Sequence, residues 1–243
     1  MIEIIDLHKS FGSNKVLQGI NLTINKGESL AIIGKSGSGK SVLLKNIVGL
    51  LEPDQGEVKI EGKNISSLSK KELYEVRKKF GFLFQGAALF DSMTVEENIS
   101  LPLVENNQAI TKEKIDSIVE DKLNLVGLPG TQKLKPSELS GGMKKRVGLA
   151  RALVTDPDYI LYDEPTTGLD PIMSDSIDEL IRSLSDKLDV TSIVVTHDMV
   201  SVRNTADRVA MVHNGKIYFT GTPQELLDSD DQVAVNFIRR TGI

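Results

Sequence analysis

Cysteine is absent from the 243 residues of this chain, so its own side chains can form neither a disulfide nor a thiolate-held metal site. Long apolar runs are missing as well: no stretch approaches the roughly 18 apolar residues that a membrane-spanning helix needs. The opening segment Met1-Ile2-Glu3-Ile4-Ile5-Asp6 carries acids where a secretory signal places positive charge. Together these absences predict a cytosolic chain whose contact with a membrane is made through a partner. A cationic excess is lacking too. With 29 Lys and Arg against 34 Asp and Glu, the net charge is -5 and the pI about 5.4, which argues against a broad nucleic-acid face. Internal repeats and low-complexity linkers are not found. What is present, 40% hydrophobic and 26% charged residues, suits a globular chain with a substantial core in one or two domains.

Short apolar runs alternate with helical patterns, which predicts an α/β fold around a largely parallel sheet. Residues 29–33 read as a buried strand running into glycine, and residues 40–51 as a helix. Strand signals fade between residues 86 and 157, where helical patterns at 111–126 and 140–154 suggest a helical insertion. They return at 159–162, 191–195 and 209–213, and Asn214-Gly215 joins the last of these to 216–220 as a hairpin.

Three motifs carry the chemistry. Gly34-Lys35-Ser36-Gly37-Ser38-Gly39-Lys40-Ser41 is a complete G-x-x-x-x-G-K-S between a predicted strand and a predicted helix. Its glycines let backbone N–H groups wrap a β-phosphate, Lys40 reaches the β and γ oxygens, and Ser41 is placed to ligate Mg²⁺. The apolar strand at 159–162 delivers Asp163 to the sheet edge, where a carboxylate can hold Mg²⁺ directly or through water. Glu164 follows, placed to polarise a water for attack on the γ-phosphate, a contribution of about 10²–10⁴ in rate. Between these halves stands Leu139-Ser140-Gly141-Gly142-Met143. Alone it is a loop or helix start; in this order its hydroxyl and free N–H groups suit a terminal phosphate.

In this order the motifs resemble the ATP-binding subunit of ABC transporters, over essentially the whole chain. The resemblance implies a single domain with a RecA-like P-loop NTPase core and mainly parallel sheet (1–85 and 158–243). It adds an N-terminal antiparallel β region and a helical subdomain at 86–157. It implies ATP and Mg²⁺ as ligands and a head-to-tail homodimer in which Ser140, Gly141 and Gly142 approach the γ-phosphate held by the other protomer. It also assigns Gln85 to a loop sensing Mg²⁺ and the membrane partner, His197 to a γ-phosphate switch, and Gly168-Leu169-Asp170 to the crossing between protomers. Phe11 stands where the family places an aromatic that stacks on adenine, with Val16 beside it; packing as an ordinary core aromatic is the alternative. Residues 69–79 mix signs at helical spacing and read as a solvated helix face. Lys144 and Lys145 read as solubilising, Arg146 as a support for the nearby nucleotide. The tail at 228–243, with Val233, Val235, Phe237 and Ile238 among charges, reads as either a local cap or a docking segment.

Within that family, the stretch from Phe84 to Asn98 looks like the ATPases of MCE-type lipid transport, the maintenance-of-lipid-asymmetry system. Gly86-Ala87-Ala88-Leu89-Phe90 after Gln85, Met143 after Gly142, and Tyr162 before Asp163 with Gly168 in the crossing loop carry this likeness. It implies a permease dimer that receives the ATPase through the loop after Gln85, an MCE substrate-binding protein, a small regulatory subunit, and attachment to the cytoplasmic face of the inner membrane, with no nucleic-acid partner. A cell-division ATPase signalling to cell-wall hydrolases, an amino-acid-type importer and a soluble ABC protein acting on ribosomes or DNA stand as alternatives.

Overall fold

The computed structural model describes residues 1–107, 109–239 and 241. Its strands are β1 (Ile2–Phe11), β2 (Asn14–Ile24), β3 (Ser29–Ile33), β4 (Gln55–Ile60), β5 (Lys63–Asn64), β6 (Phe80–Leu83), β7 (Tyr159–Asp163), β8 (Thr191–Thr196), β9 (Arg208–His213) and β10 (Lys216–Gly221). The α-helices are α1 (Lys40–Ile47), α2 (Lys70–Arg77), α3 (Val95–Asn106), α4 (Lys112–Leu125), α5 (Gly141–Leu153), α6 (Pro171–Leu188), α7 (Met199–Thr205), α8 (Pro223–Leu227) and α9 (Gln232–Ile238).

Two sheets result. One is antiparallel with the order β2-β1-β4-β5; the other runs β10-β9-β3-β8-β7-β6, with every pairing parallel except the β9–β10 hairpin. All five residues of β3 and all six of β8 are buried, because a parallel strand covered on both faces needs a continuous inward-compatible run rather than alternation. In β1 the apolar phase breaks, from Ile2 and Ile4 to Leu7. A register shift there, with Asp6 at φ 46, inserts the extra residue that turns Leu7 inward. The expected hairpin forms, with Asn214 at φ 49 and Gly215 at φ 72.

The helix expected at 40–51 stops at Ile47. Gly49 takes a left-handed φ of 67, and the Gly49 and Leu50 N–H groups close on the carbonyls of Asn46 and Lys45, the double bond of a Schellman cap. Thr111 and Ser140, read as first helical residues, are instead the N-caps of α4 and α5, each accepting an N–H three residues on. The charged stretch forms α2 with no buried residue and a Ser69–Glu72 capping box, a solvated helix as expected. Helix α6 was not anticipated, although Asp170-Pro171 is a cap followed by proline at the first turn.

One apolar cluster joins the antiparallel sheet to α1 and the parallel sheet, a second packs α3, α4 and α5 against β7 and α6, and a third holds α7, α8 and α9. The tail therefore caps the core: Phe237 is buried against Met199, Val202 and Leu226. Arg240, Gly242 and Ile243 lie outside the described residues. Among the described residues no helix is long and apolar enough to cross a membrane.

Candidate active site

The carboxyl ends of neighbouring parallel strands are where an open α/β sheet presents ligands. Here Gly34 follows the end of β3 at Ile33, Glu164 the end of β7 at Asp163, and His197 the end of β8 at Thr196. A cavity of about 740 Å³ opens there, lined by Phe11, Val16, Lys35, Ser36, Gly37, Gly39, Lys40, Ser41, Val42, Gln85, Glu164, His197, Phe237 and Thr241.

The loop before α1 depends on its glycines. A Cβ on Gly34 would sit 2.5 Å from the Val212 carbonyl oxygen and 2.7 Å from Ser38 Oγ; Gly39, at φ 102, would meet Leu17 at 2.9 Å. Helix α1 starts with no capping side chain and no acid in its first turn, so its free N–H groups favour an anion. Ser38 Oγ is buried without a hydrogen-bond partner beneath the same loop. Lys40 folds back across the loop, donating to the Gly34 carbonyl at 2.8 Å and the Lys35 carbonyl at 3.3 Å. Burial lowers its pKa, with Glu164 and then Asp163 opposing. Gly34, Ser38 and Asp163 are not on the cavity wall. Asp163 joins the site through Ser41, whose hydroxyl donates to its carboxylate at 3.3 Å. Burial chiefly raises the Asp163 pKa, Ser41 opposing. Two hard oxygen donors side by side suit Mg²⁺.

Glu164 and His197 are brought into contact. His197 Nδ1 lies 3.0 and 2.9 Å from the two carboxylate oxygens, and Thr167 Oγ1 donates to Oε2 at 3.2 Å. An ionised carboxylate only accepts, so Nδ1 carries the hydrogen in this pair. Glu164 itself has φ 50, a conformation that L residues adopt rarely, and its N–H donates to the Val195 carbonyl at 2.8 Å.

Ser140, Gly141, Gly142 and Asp170 do not reach the cavity of their own chain. They gather at another face: a Cβ on Gly141 would meet Leu169 at 3.3 Å and one on Gly142 would meet Met173 at 3.1 Å. Ser140 caps α5, accepting from the Met143 N–H at 3.2 Å, and Asp170 caps α6 through the Met173 N–H at 3.0 Å. Helix α5 carries no acid in its first turn.

One expectation for the signature helix is corrected. Lys145 is not a solubilising surface residue: it is 5% exposed, and its ammonium donates to the backbone carbonyls of Gln85 and, at 3.2 Å, Glu164. Burial lowers its pKa, while Glu164 and Asp163 oppose the shift. Its helical position on the inward face of α5 was the signal available in the sequence. Arg146 does not line the cavity; it donates to the Val126 carbonyl at 2.6 Å and Ser176 Oγ at 2.7 Å, tying α5 to its neighbours. Lys145→Met is expected to lower kcat by about 10- to 150-fold, the equivalent of losing charged hydrogen bonds of about 1.5–3 kcal/mol, while KM for ATP stays within a few-fold. Steady-state ATPase kinetics check this, with partial recovery in Lys145→Arg. Phe237 and Thr241 were also missed as cavity residues, because nothing local in a tail reveals which distant wall it covers.

Residues 17–167 match the model of the ABC transporter family. The chain belongs to that family. It is one of its ATP-binding, ATP-hydrolysing chains. It is 45% identical over 243 residues to the "Probable ribonucleotide transport ATP-binding protein mkl" of Mycobacterium tuberculosis, covering 99% of this chain and 67% of that one. To the "Intermembrane phospholipid transport system ATP-binding protein MlaF" of Haemophilus influenzae it is 44% identical, over 98% of this chain and 90% of the relative. Among solved structures, the dimeric ATP-binding cassette MJ0796 in a post-hydrolysis state, bound to ADP and Pi, superposes with a TM-score of 0.83 at 33% identity, covering 92% of this chain and 99% of that one. The ABC cassette fold expected from the motifs is the fold found.

Proposed function

We propose that this ABC chain hydrolyses ATP to power phospholipid movement through a membrane permease working with an MCE protein. The observation that carries the catalytic half is the Glu164–His197 pair beside Lys40 at one cavity. Phe11 and Val16 form the adenine wall, with Phe11 left 47% exposed to receive a stacked base. Residues 34–41 wrap the phosphates. Ser41, Asp163 and Gln85 would hold Mg²⁺, which neutralises charge on the β- and γ-phosphates when bound. Glu164 accepts the proton of the attacking water, and His197, on the wall of the same cavity, contacts that carboxylate and serves as the γ-phosphate switch.

The working unit is a homodimer. Its support is that Ser140, Gly141, Gly142 and Asp170 stand off their own chain's cavity, next to Ile172, which is 80% exposed, and that the MJ0796 cassette is a dimer. ATP drives the cycle by favouring the closed dimer over the open one, and hydrolysis reopens it. The permease docks at a groove of about 380 Å³ whose rim includes Phe82, Phe84, Ala88, Phe90, Leu101 and Pro102. Ala87 and Ala88 hold the loop after Gln85 at φ 59 and 47, and Arg151 pins their carbonyls at 2.6 and 2.8 Å. A small regulatory subunit belongs to this reading, and the assembly sits on the cytoplasmic face of the inner membrane.

The lipid class rests on likeness to MlaF across nearly the full length of both chains. The name of the mycobacterial relative favours a second cargo, a ribonucleotide. Purifying the intact membrane complex and identifying what it carries by mass spectrometry separates the two. Phospholipid together with an MCE protein is the expected recovery; bound ribonucleotide without lipid moves the function to the second reading, and absence of both lipid and MCE protein overturns the first.

A further inference from the structure

Helix α6 buries one side chain that neither the nucleotide cavity nor the apolar core explains. Its inward face carries Ile177, Ile181 and Leu184 into the core, and beside them Asp178 and Ser185. Ser185 is satisfied: its Oγ lies 2.8 Å from Ser29 Oγ and accepts from Ser192 at 3.3 Å. Asp178 is 1% exposed, and neither carboxyl oxygen has a hydrogen-bond partner. An ionised carboxylate there bears a desolvation cost that no counterion offsets.

The groups that act on Asp178 are Ser201 and Asn204 from α7, Asp198 at the start of α7, and Asp175 on α6. Both polar neighbours approach without completing a hydrogen bond, and both charged neighbours are acids. Burial is the largest cause pushing the carboxyl up to about 7; Ser201 opposes it, Asp198 and Asp175 add to it, and Asn204 opposes.

Of the two helices that meet at Asp178, α7 begins beside the cavity and α6 begins at the crossing loop. Helix α6 is capped by Asp170 of the crossing loop, and α7 by Asp198, next to His197. Ser201 Oγ lies 3.2 Å from Oγ1 of Thr166, in the loop that leaves Glu164. Ser201, a polar neighbour of the unpartnered Asp178 carboxyl, is thus itself bonded to Thr166. We propose that Asp178 is a positioning residue for ATP hydrolysis: through Ser201 and Thr166 it sets where α7 holds His197 against Glu164, and it does so only while it carries a proton.

This rests on the reading of Glu164 and His197 given above. Protonated, the carboxyl donates to Ser201, and α6 and α7 stay packed over a neutral group. Ionised, the unpaired charge is relieved when α7 shifts toward water, and His197 moves with it. The folded chain holds this proton more tightly than the unfolded chain, whose carboxyl titrates at the ordinary value of 3.8. The group's contribution to stability is therefore lost as pH rises from about 4 to about 7, and stays lost above.

Asp178→Asn mimics the protonated acid at every pH. The ratio of its kcat to that of the unmodified full-length chain is expected to be about 1 at pH 6 and several-fold at pH 8, since about nine-tenths of a carboxyl with pKa 7 is ionised one unit higher. Its thermal midpoint should rise relative to the unmodified chain between about pH 4 and pH 7 and keep that lead above. Ser201→Ala, which removes the bond to Thr166, should bring the pH 6 rate down toward the rate the unmodified chain shows at pH 8. His197→Ala is the control: if that variant turns over at the full rate, the reading of the site itself fails. If His197 is required and the kcat ratio of Asp178→Asn to the unmodified chain is flat between pH 6 and 8, the role of Asp178 is overturned, and a flat ratio with diverging thermal midpoints overturns it equally.

Discussion

Glu164→Gln is expected to lower kcat by about 10²–10⁴ while ATP affinity stays within a few-fold. The amide keeps the shape of the side chain, and the His197 contact can be retained if its oxygen faces Nδ1, 2.9 Å from the present carboxylate. It cannot accept a proton from water. The backbone strain at φ 50 is the same for Gln as for Glu, so the fold is not the variable. ATP should then accumulate in closed dimers, visible as a doubled mass by size exclusion with light scattering in MgATP. Fast steady-state turnover by this variant would remove Glu164 from the role of base.

Lys40→Ala acts earlier, on binding. The ammonium is now shared between the Gly34 and Lys35 carbonyls, a resting arrangement that holds it over the loop at a cost in desolvation, since burial lowers its pKa. Phosphate oxygens offer it full charges in place of carbonyl dipoles. Truncating one partner of a buried, hydrogen-bonded charge pair costs about 2–5 kcal/mol, or roughly 30-fold to several-thousand-fold in Kd. Titration with a fluorescent ATP analogue should show that loss at a temperature where the nucleotide-free variant is still folded. Binding within a few-fold of the unmodified chain would place the phosphate contacts elsewhere in the loop.

How much was legible in the sequence follows from how local each signal is. The phosphate loop was readable because its glycines, Lys40 and Ser41 stand at a fixed spacing in one short stretch, even though the groups that exclude a Cβ at Gly34 and Gly39 include the distant Val212 and Leu17. Strands β3, β7 and β8 were readable because burial on both faces writes an uninterrupted apolar run. The order of motifs supplied the family. Short strands such as β5, two residues long, leave no periodicity to detect. Burial of charge was not legible either: Lys145 and Asp178 look like surface residues until tertiary packing places a carbonyl pair over one and α7 over the other. Phe237 was visible as an apolar residue in a charged tail, but its wall of the cavity is made by chain folding over more than 200 residues from Phe11.

The left-handed backbone at Glu164 sets a limit on how this protein can be improved. A non-glycine residue held there stores about 1–3 kcal/mol, and glycine at that position would release much of it. Selection for heat resistance alone would therefore reward loss of the carboxylate that takes the proton from water. Robust variants of this enzyme have to draw their stability from the rest of the fold and leave that position uncomfortable.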